Sequence, residues 1–162
     1  MSTGKILASM IVLSAVLAGL AMYYLQVYGF YSPLDEAEGA AEIHATAAAD
    51  AAVIPLGVSE FRGIDADSSP LRYRSCFQIG DMAALEGAAR FEGATPLVGP
   101  RWFSCFSARA LTADLESGAA TAYLGQSEIH PDVDRVIAVY PDGRAFAWHQ
   151  FNDKTPERGV MD

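Results

Sequence analysis

The chain has 162 residues, 51% of them apolar and only 19% charged, with a formal net charge of −9. That length accommodates one compact domain plus an appendage, because a core needs on the order of 100 residues to bury enough apolar surface. The acidic balance argues against nucleic acid as a partner, since phosphates are bound by a positive stripe, and the apolar excess is out of keeping with a wholly soluble protein.

The excess sits at the front. From Ile6 to Phe30 the polar side chains are Ser9, Ser14, Gln26 and the hydroxyls of Tyr23, Tyr24 and Tyr28, and none is ionised. A bilayer core of about 30 Å needs roughly 20 helical residues, so residues 6–30 are expected to form an uncleaved transmembrane helix in contact with inner-membrane lipid. Tyr23, Tyr24, Tyr28, Phe30 and Tyr31 gather at its C-terminal end, where aromatic rings favour the headgroup zone. Lys5 and the terminal amine precede the helix, whereas Asp35, Glu36, Glu38 and Glu42 follow it. The positive-inside rule therefore puts residues 1–5 in the cytoplasm of a bacterium and the C-terminal domain in the periplasm, on a single-pass anchor in the inner membrane. The competing expectation is a cleaved signal peptide, for which the small residues of Val16-Leu17-Ala18 and Gly19-Leu20-Ala21 offer sites. Cleavage there would leave an exposed apolar stretch through Tyr31 at the start of the mature chain, which favours the anchor. Beyond residue 31 the chain has 10 basic and 20 acidic side chains, a formal charge of −10 that suits a soluble exterior or a basic protein partner.

Residues 31–52 begin with Ser-Pro and acidic residues, turn alanine-rich, and are expected to be a linker. Within it, helix around 37–52 and a short strand over Glu42-Ile43-His44-Ala45-Thr46 are both open. The domain proper is expected over 53–152. Val53 to Phe61 looks like a strand broken at Pro55 and Gly57, Gly63 to Pro70 like a loop, and Leu71 to Phe77 like a strand. Asp81 is a plausible N-cap for a helix over Met82 to Arg90, with Met82, Leu85 and Ala89 on one face. A Gly/Pro-rich connection from Gly93 to Pro100 leads to a candidate strand over Arg101 to Phe106. A helix from Ala108 to Ser117 follows, capped by Ser107, facing the core with Leu111 and Leu115, and stopped by Gly118. Ala119 to Gln126 reads as a strand, and Asp134 to Tyr140 and Arg144 to Phe151 flank the turn Pro141-Asp142-Gly143 as a hairpin. Residues 153–162 are expected to be a flexible tail. The sum is an α+β domain, a mainly antiparallel sheet with two short helices on one face.

The only two cysteines sit in a short internal repeat. Arg72-Tyr73-Arg74-Ser75-Cys76-Phe77 matches Arg101-Trp102-Phe103-Ser104-Cys105-Phe106 in its arginine, serine, cysteine and phenylalanine, with an aromatic residue after the arginine in both copies. Each copy precedes a candidate helix containing Leu-Glu, so a duplicated strand-helix unit is a serious hypothesis. An even cysteine count in an oxidising compartment makes a Cys76–Cys105 disulfide the expected state. The alternative is a copper-handling thiolate pair, although no local Cys-x-x-Cys brings the sulfurs together.

Other chemistry has weaker support. His44, His130 and His149 lack metal-motif spacing. His149 beside Trp148 on a strand is the best candidate for ligand binding or proton transfer. Asp65-Ala66-Asp67-Ser68-Ser69 opens like a calcium loop but continues with Pro70 where glycine is needed and Cys76 where glutamate is needed, so a carboxylate-stabilised turn is expected instead. Arg72, Arg74 and Arg101 could receive an anion near the cysteines, with pairing to carboxylates the more ordinary use. There is no nucleophile elbow and no phosphate-binding glycine loop, so no cofactor, no metal and no catalytic residue are expected.

The N-terminal Gly4-Lys5-Ile6-Leu7, the helix end Tyr23-Tyr24-Leu25-Gln26-Val27-Tyr28, the loop Gly63 to Pro70 and the stretch from Asp134 to Gln150 together resemble a family of uncharacterised single-pass bacterial membrane proteins, built on a domain of unknown function. The resemblance implies no catalytic residue and no cofactor. A lone anchor beside a small acidic domain makes physical sense as a binding surface, so the expected role is non-enzymatic: an accessory subunit or assembly factor of a larger inner-membrane complex, a respiratory one for example, with an integral membrane protein as partner. An envelope thiol or copper carrier using Cys76 and Cys105, or a ligand sensor, are the alternatives.

Overall fold

The computed structural model of the chain describes residues 2–154. It opens with helix α1, Thr3–Tyr24, which runs on as one π-helical segment, Leu25–Gly29. This rod of 27 residues has a mean hydropathy of 2.2 and buries none of its apolar window inside the protein, so it is long and apolar enough to span a membrane. The expected tail falls mostly on residues 155–162, outside the described residues.

The remainder is an α+β domain. Strands β1 (Ser32–Pro33), β4 (Val58–Asp65), β5 (Arg74–Ile79), β6 (Thr121–His130), β7 (Val133–Val139) and β8 (Arg144–Phe151) form one antiparallel sheet in the order β1-β4-β5-β8-β7-β6. Strands β2 (His44–Thr46) and β3 (Val53–Pro55) form a separate two-stranded ribbon. The β7–β8 hairpin stands as the turn signal requires: Gly143 adopts φ +84°, and a Cβ there would lie 2.7 Å from the Ile79 carbonyl.

Every residue of β7 is buried: Val133, Val136, Ile137, Ala138 and Val139 offer apolar side chains to both faces, and the charged Asp134 and Arg135 are held by hydrogen bonds to the Glu128 N–H and His149. The sheet is therefore covered twice. On one face Ile137, Val139, Ala145 and Ala147 pack with Ile43, Phe61, Phe77 and Leu85. On the other, Val136, Ala138 and Trp148 pack with Phe106 and Leu111. The helices consequently do not share one face as expected. Helix α2 (Glu36–Glu42) and a 3-10 turn (Met82–Leu85) lie on the first face, and α3 (Ala108–Ser117) lies on the second.

Three sequence expectations are revised. Residues 31–52 are packed instead of forming a linker: Asp35 caps α2 by accepting from the N–H groups of Ala37 and Glu38, and Ile43 and Ala45 are core residues. Gly39 lets α2 lie on β4, since a Cβ there would meet the Phe61 ring at 2.1 Å. Second, the helix over Met82 to Arg90 stops after one 3-10 turn. Asp81 caps it as expected, but beyond Gly87 the backbone pairs outward, Ala89 N–H to Thr46 and Leu124 N–H to Ala89, and so covers the edge of β6. Third, Arg101 to Phe106 is a succession of turns, not a strand. The first repeat copy lies between β4 and β8, whereas the second crosses a sheet face where no edge is free, so the matching sequences are not matching structural units. By contrast α3 keeps its expected bounds, its Ser107 cap and its Gly118 stop at φ +76°.

Candidate functional site

The foot of α1 and the domain meet in a built junction. Trp102 Nε1 donates to the Val27 carbonyl at 2.7 Å, and Arg72 Nη2 donates to Gln26 Oε1 at 2.6 Å. The Trp102 ring stacks near Tyr28 at 6.3 Å and meets Tyr31 edge-on at 6.0 Å. The Arg72 guanidinium lies over Tyr31 and Phe30, 5.4 and 6.0 Å from the ring centres. Thus Arg72 and Trp102, from different copies of the repeat, grip the same turn of helix. Tyr28, Phe30 and Tyr31 face this grip, while Tyr23 and Tyr24 remain 61% exposed on the rod. Between rod and domain is a cleft of about 530 Å³, lined by Tyr23 and Val27 on one side and by Val98, Pro100, Arg101 and Trp102 on the other.

Arg74 holds the domain side of that cleft. Only 3% exposed, it donates through Nε to Leu97, through Nη1 to Leu71 and Tyr73, and through Nη2 to Val98, all backbone carbonyls. Loss of water lowers its pKa to about 10, so it stays charged at neutral pH. Neither Arg72, Arg74 nor Arg101 pairs with a carboxylate among the described residues, contrary to the ordinary use expected of them. Replacing Arg74 with Met should lower the unfolding free energy by about 2 kcal/mol, since four acceptors are left short while one desolvated charge is relieved. Urea titration measures this, and a loss under about 0.5 kcal/mol would contradict it.

His149 and Trp148 point to opposite faces of β8 and take no common part. Trp148 is fully buried and donates to Gln150 Oε1 at 3.0 Å. His149, 1% exposed, donates from Nδ1 to the Pro70 carbonyl at 2.8 Å and accepts at Nε2 from Arg135 Nε at 3.2 Å. Its ring stacks on Tyr73 at 4.5 Å, and the Arg135 guanidinium lies 4.4 Å from the same Tyr73 ring. Burial, with the Arg135 charge adding to it, pushes the His149 pKa down to about 3, so the ring is neutral. With both nitrogens engaged it has no lone pair for a metal. Beside it, Asp65 and Asp67 line a cavity of about 400 Å³ with His130. Burial raises the Asp65 pKa, and Asp65 Oδ1 accepts from the Ala66 N–H, forming the turn expected in place of a calcium loop.

Cys76 and Cys105 are joined as a disulfide across 29 residues of sequence, tying the turn segment to β5. The sulfurs are therefore spent on each other and offer no thiolate pair in this state. Among the described residues no three His, Cys, Asp or Glu side chains come together as metal ligands.

The profile of a family of unknown function, DUF6446, matches residues 43–158. The chain belongs to this family. No curated protein and no solved structure matches it. The DUF6446 region begins at Ile43, the first core residue ahead of β2, and includes Arg72, Arg74, the disulfide, Trp102 and His149. Gln26, Val27 and Tyr28 lie ahead of it, so the junction joins a DUF6446 surface to a separate apolar rod. Of the parts that matter, Trp102 was visible only as the aromatic partner in a repeat, and Arg135 only as a charge inside an apolar strand. What the arrangement does chemically is hold and orient: cation on ring, amide carbonyl on indole, guanidinium on carbonyls.

Proposed function

We propose that this DUF6446 protein is an accessory subunit or assembly factor, anchored by α1 in a bacterial inner membrane with its N-terminus in the cytoplasm, whose periplasmic domain acts by binding an integral membrane partner of a larger complex. The observation that carries the reading is the clamp of Trp102 and Arg72 on the last turns of α1. An enzyme tethered merely for location needs only a slack linker. Here the helix passes through the clamp into β1, where Ser32 and Pro33 pair directly with Asp65 and Ile64 of the sheet. A domain held at one angle to its anchor suits a surface that must meet a partner fixed in the same bilayer. The formal charge of −10 beyond residue 31 favours a basic face on that partner.

Purification from membranes in a mild detergent should yield a stable, stoichiometric complex with an integral membrane protein. The double substitution Arg72→Ala with Trp102→Ala should loosen the clamp and reduce recovery of the partner while the domain stays folded. A monodisperse, partner-free protein would refute the reading.

A further inference from the structure

We propose that the loop from Pro96 to Trp102 is a second membrane contact, lying among phospholipid headgroups beside α1, with Arg101 receiving a lipid phosphate in the junction cleft. The inference rests on the anchoring by α1 proposed above and adds a lipid site on the domain itself.

Depth is the first argument. Counting from Ile6, about 20 helical residues cross the hydrocarbon, which brings the boundary near Leu25. The cleft spans this level, because its helix wall runs from Tyr23 through Val27 and its other wall is the loop. The loop is thus at headgroup depth by construction. Its exposed side chains are those that zone favours. Val98 is 82% exposed and Trp102 41%, and they share the cleft with the exposed Tyr23 and Tyr28 of the rod. Single exposed apolar residues are ordinary, but this group is continuous with the apolar helix, and Trp and Tyr concentrate at membrane interfaces.

Order is the second argument. Arg74 bonds to the carbonyls of Leu97 and Val98 from behind, and the Trp102 indole is bonded to Val27. The loop is held with Val98 outward, so little conformational freedom remains to be lost on contact with lipid. Charge is the third. The acidic domain as a whole gains nothing from an anionic surface, but Arg101 lines the cleft without an ion pair among the described residues. Arg72, held on Gln26 at the same junction, adds a second positive charge nearby. A phosphate oxygen is the acceptor such guanidinium groups take best.

The test uses the full chain in vesicles of phosphatidylethanolamine and phosphatidylglycerol. Flotation first reports anchoring. Tryptophan emission is then compared in vesicles whose acyl chains are brominated near the headgroup, for wild type and Trp102→Phe. The other tryptophan, Trp148, is fully buried and common to both. Trp102 emission should fall roughly twofold in brominated vesicles, as expected for an indole at the interface, with no such fall in Trp102→Phe. Val98→Asp, at a side chain open to solvent, should weaken the quenching while circular dichroism is unchanged, and Arg101→Gln should weaken it less. A chain that floats with equal emission in both vesicles overturns the loop contact alone. A chain that fails to float overturns the anchoring and this contact with it. Undiminished quenching in Arg101→Gln would remove the phosphate from the proposal.

Discussion

Replacing Cys76 and Cys105 with serine is expected to lower the unfolding free energy by about 3–4 kcal/mol, the loop entropy released when a cross-link spanning this many residues is removed. The bridge joins positions 29 apart. Its position makes the loss visible locally as well as globally. Cys76 lies in β5 with 5% exposure, but Cys105 belongs to a stretch that contributes no strand to either sheet. That stretch is attached by the disulfide, by Arg74, by the Trp102 bond to Val27 and by Phe106, which meets Trp148 edge-on at 6.4 Å. Without the bridge, protease should first nick between Gly93 and Ser107, and the thermal midpoint should fall by about 10–15 °C. Wild type treated with a reductant should behave like the variant, and the variant should not respond to reductant. A midpoint within two or three degrees of wild type would mean that the bridge does little for the domain. The same preparations bear on copper handling: only the reduced wild type has thiolates to offer, and metal analysis before and after reduction tests whether they are used.

The second large effect concerns acid. His149 has a folded pKa of about 3 against 6.5 for the free side chain, so between those values the unfolded chain binds a proton that the folded domain refuses. Its contribution is thus fully present above pH 6.5 and is lost as pH falls toward 3. The difference amounts to about 5 kcal/mol at most, taking roughly 1.4 kcal/mol for each pH unit between 6.5 and about 3. The groups around the ring fit this sign. Arg135 donates to Nε2 and opposes a second charge, His130 stands 5.9 Å away, and the Pro70 carbonyl favours the charged form only in part. Other groups act in a different range or direction. Glu128 and Asp142 have lowered pKa values and lose their contribution only below the ordinary carboxylate range, while Asp65, raised by burial, gains stability on protonation. The decline between pH 6.5 and about 4.5 therefore belongs mainly to His149. Urea midpoints measured across that range should fall steadily for wild type. In His149→Phe, which keeps a ring on Tyr73 but leaves Arg135 and Pro70 without their bonds, the midpoint should be lower at pH 7 and nearly flat with pH. A flat wild-type profile would contradict the assignment.

The elements readable from sequence are those whose signals are local. Helix α3 is specified within a dozen residues by Ser107, Leu111, Leu115 and Gly118, and the β7–β8 hairpin by an apolar run, Pro141-Asp142-Gly143 and a second alternating run. The apolar rod needs no partner to be recognised, because length and hydropathy suffice. Elements misread from sequence had their backbone hydrogen bonds answered from far away. Residues 88–91 leave the helical pattern to pair with β2 and β6, and the alanine-rich stretch joins the core through Ile43, Ala45 and the close fit of Gly39 on Phe61.

The same division runs through the functional residues. Composition and order along the chain determined the long apolar helix, its aromatic end, the acid-rich domain, the α+β class and the even pair of cysteines, because each follows from side-chain chemistry or from spacing within one element. Tertiary structure decided that two hexapeptides alike at four of six positions would become a central strand and a turn, that Arg72 and Trp102 would meet on α1, and that His149 would be stacked and neutral inside the sheet. A short stretch of chain can set its own periodicity and caps, but whether it finds a free sheet edge, a ring to stack on or a carbonyl to bond depends on what distant residues have already buried.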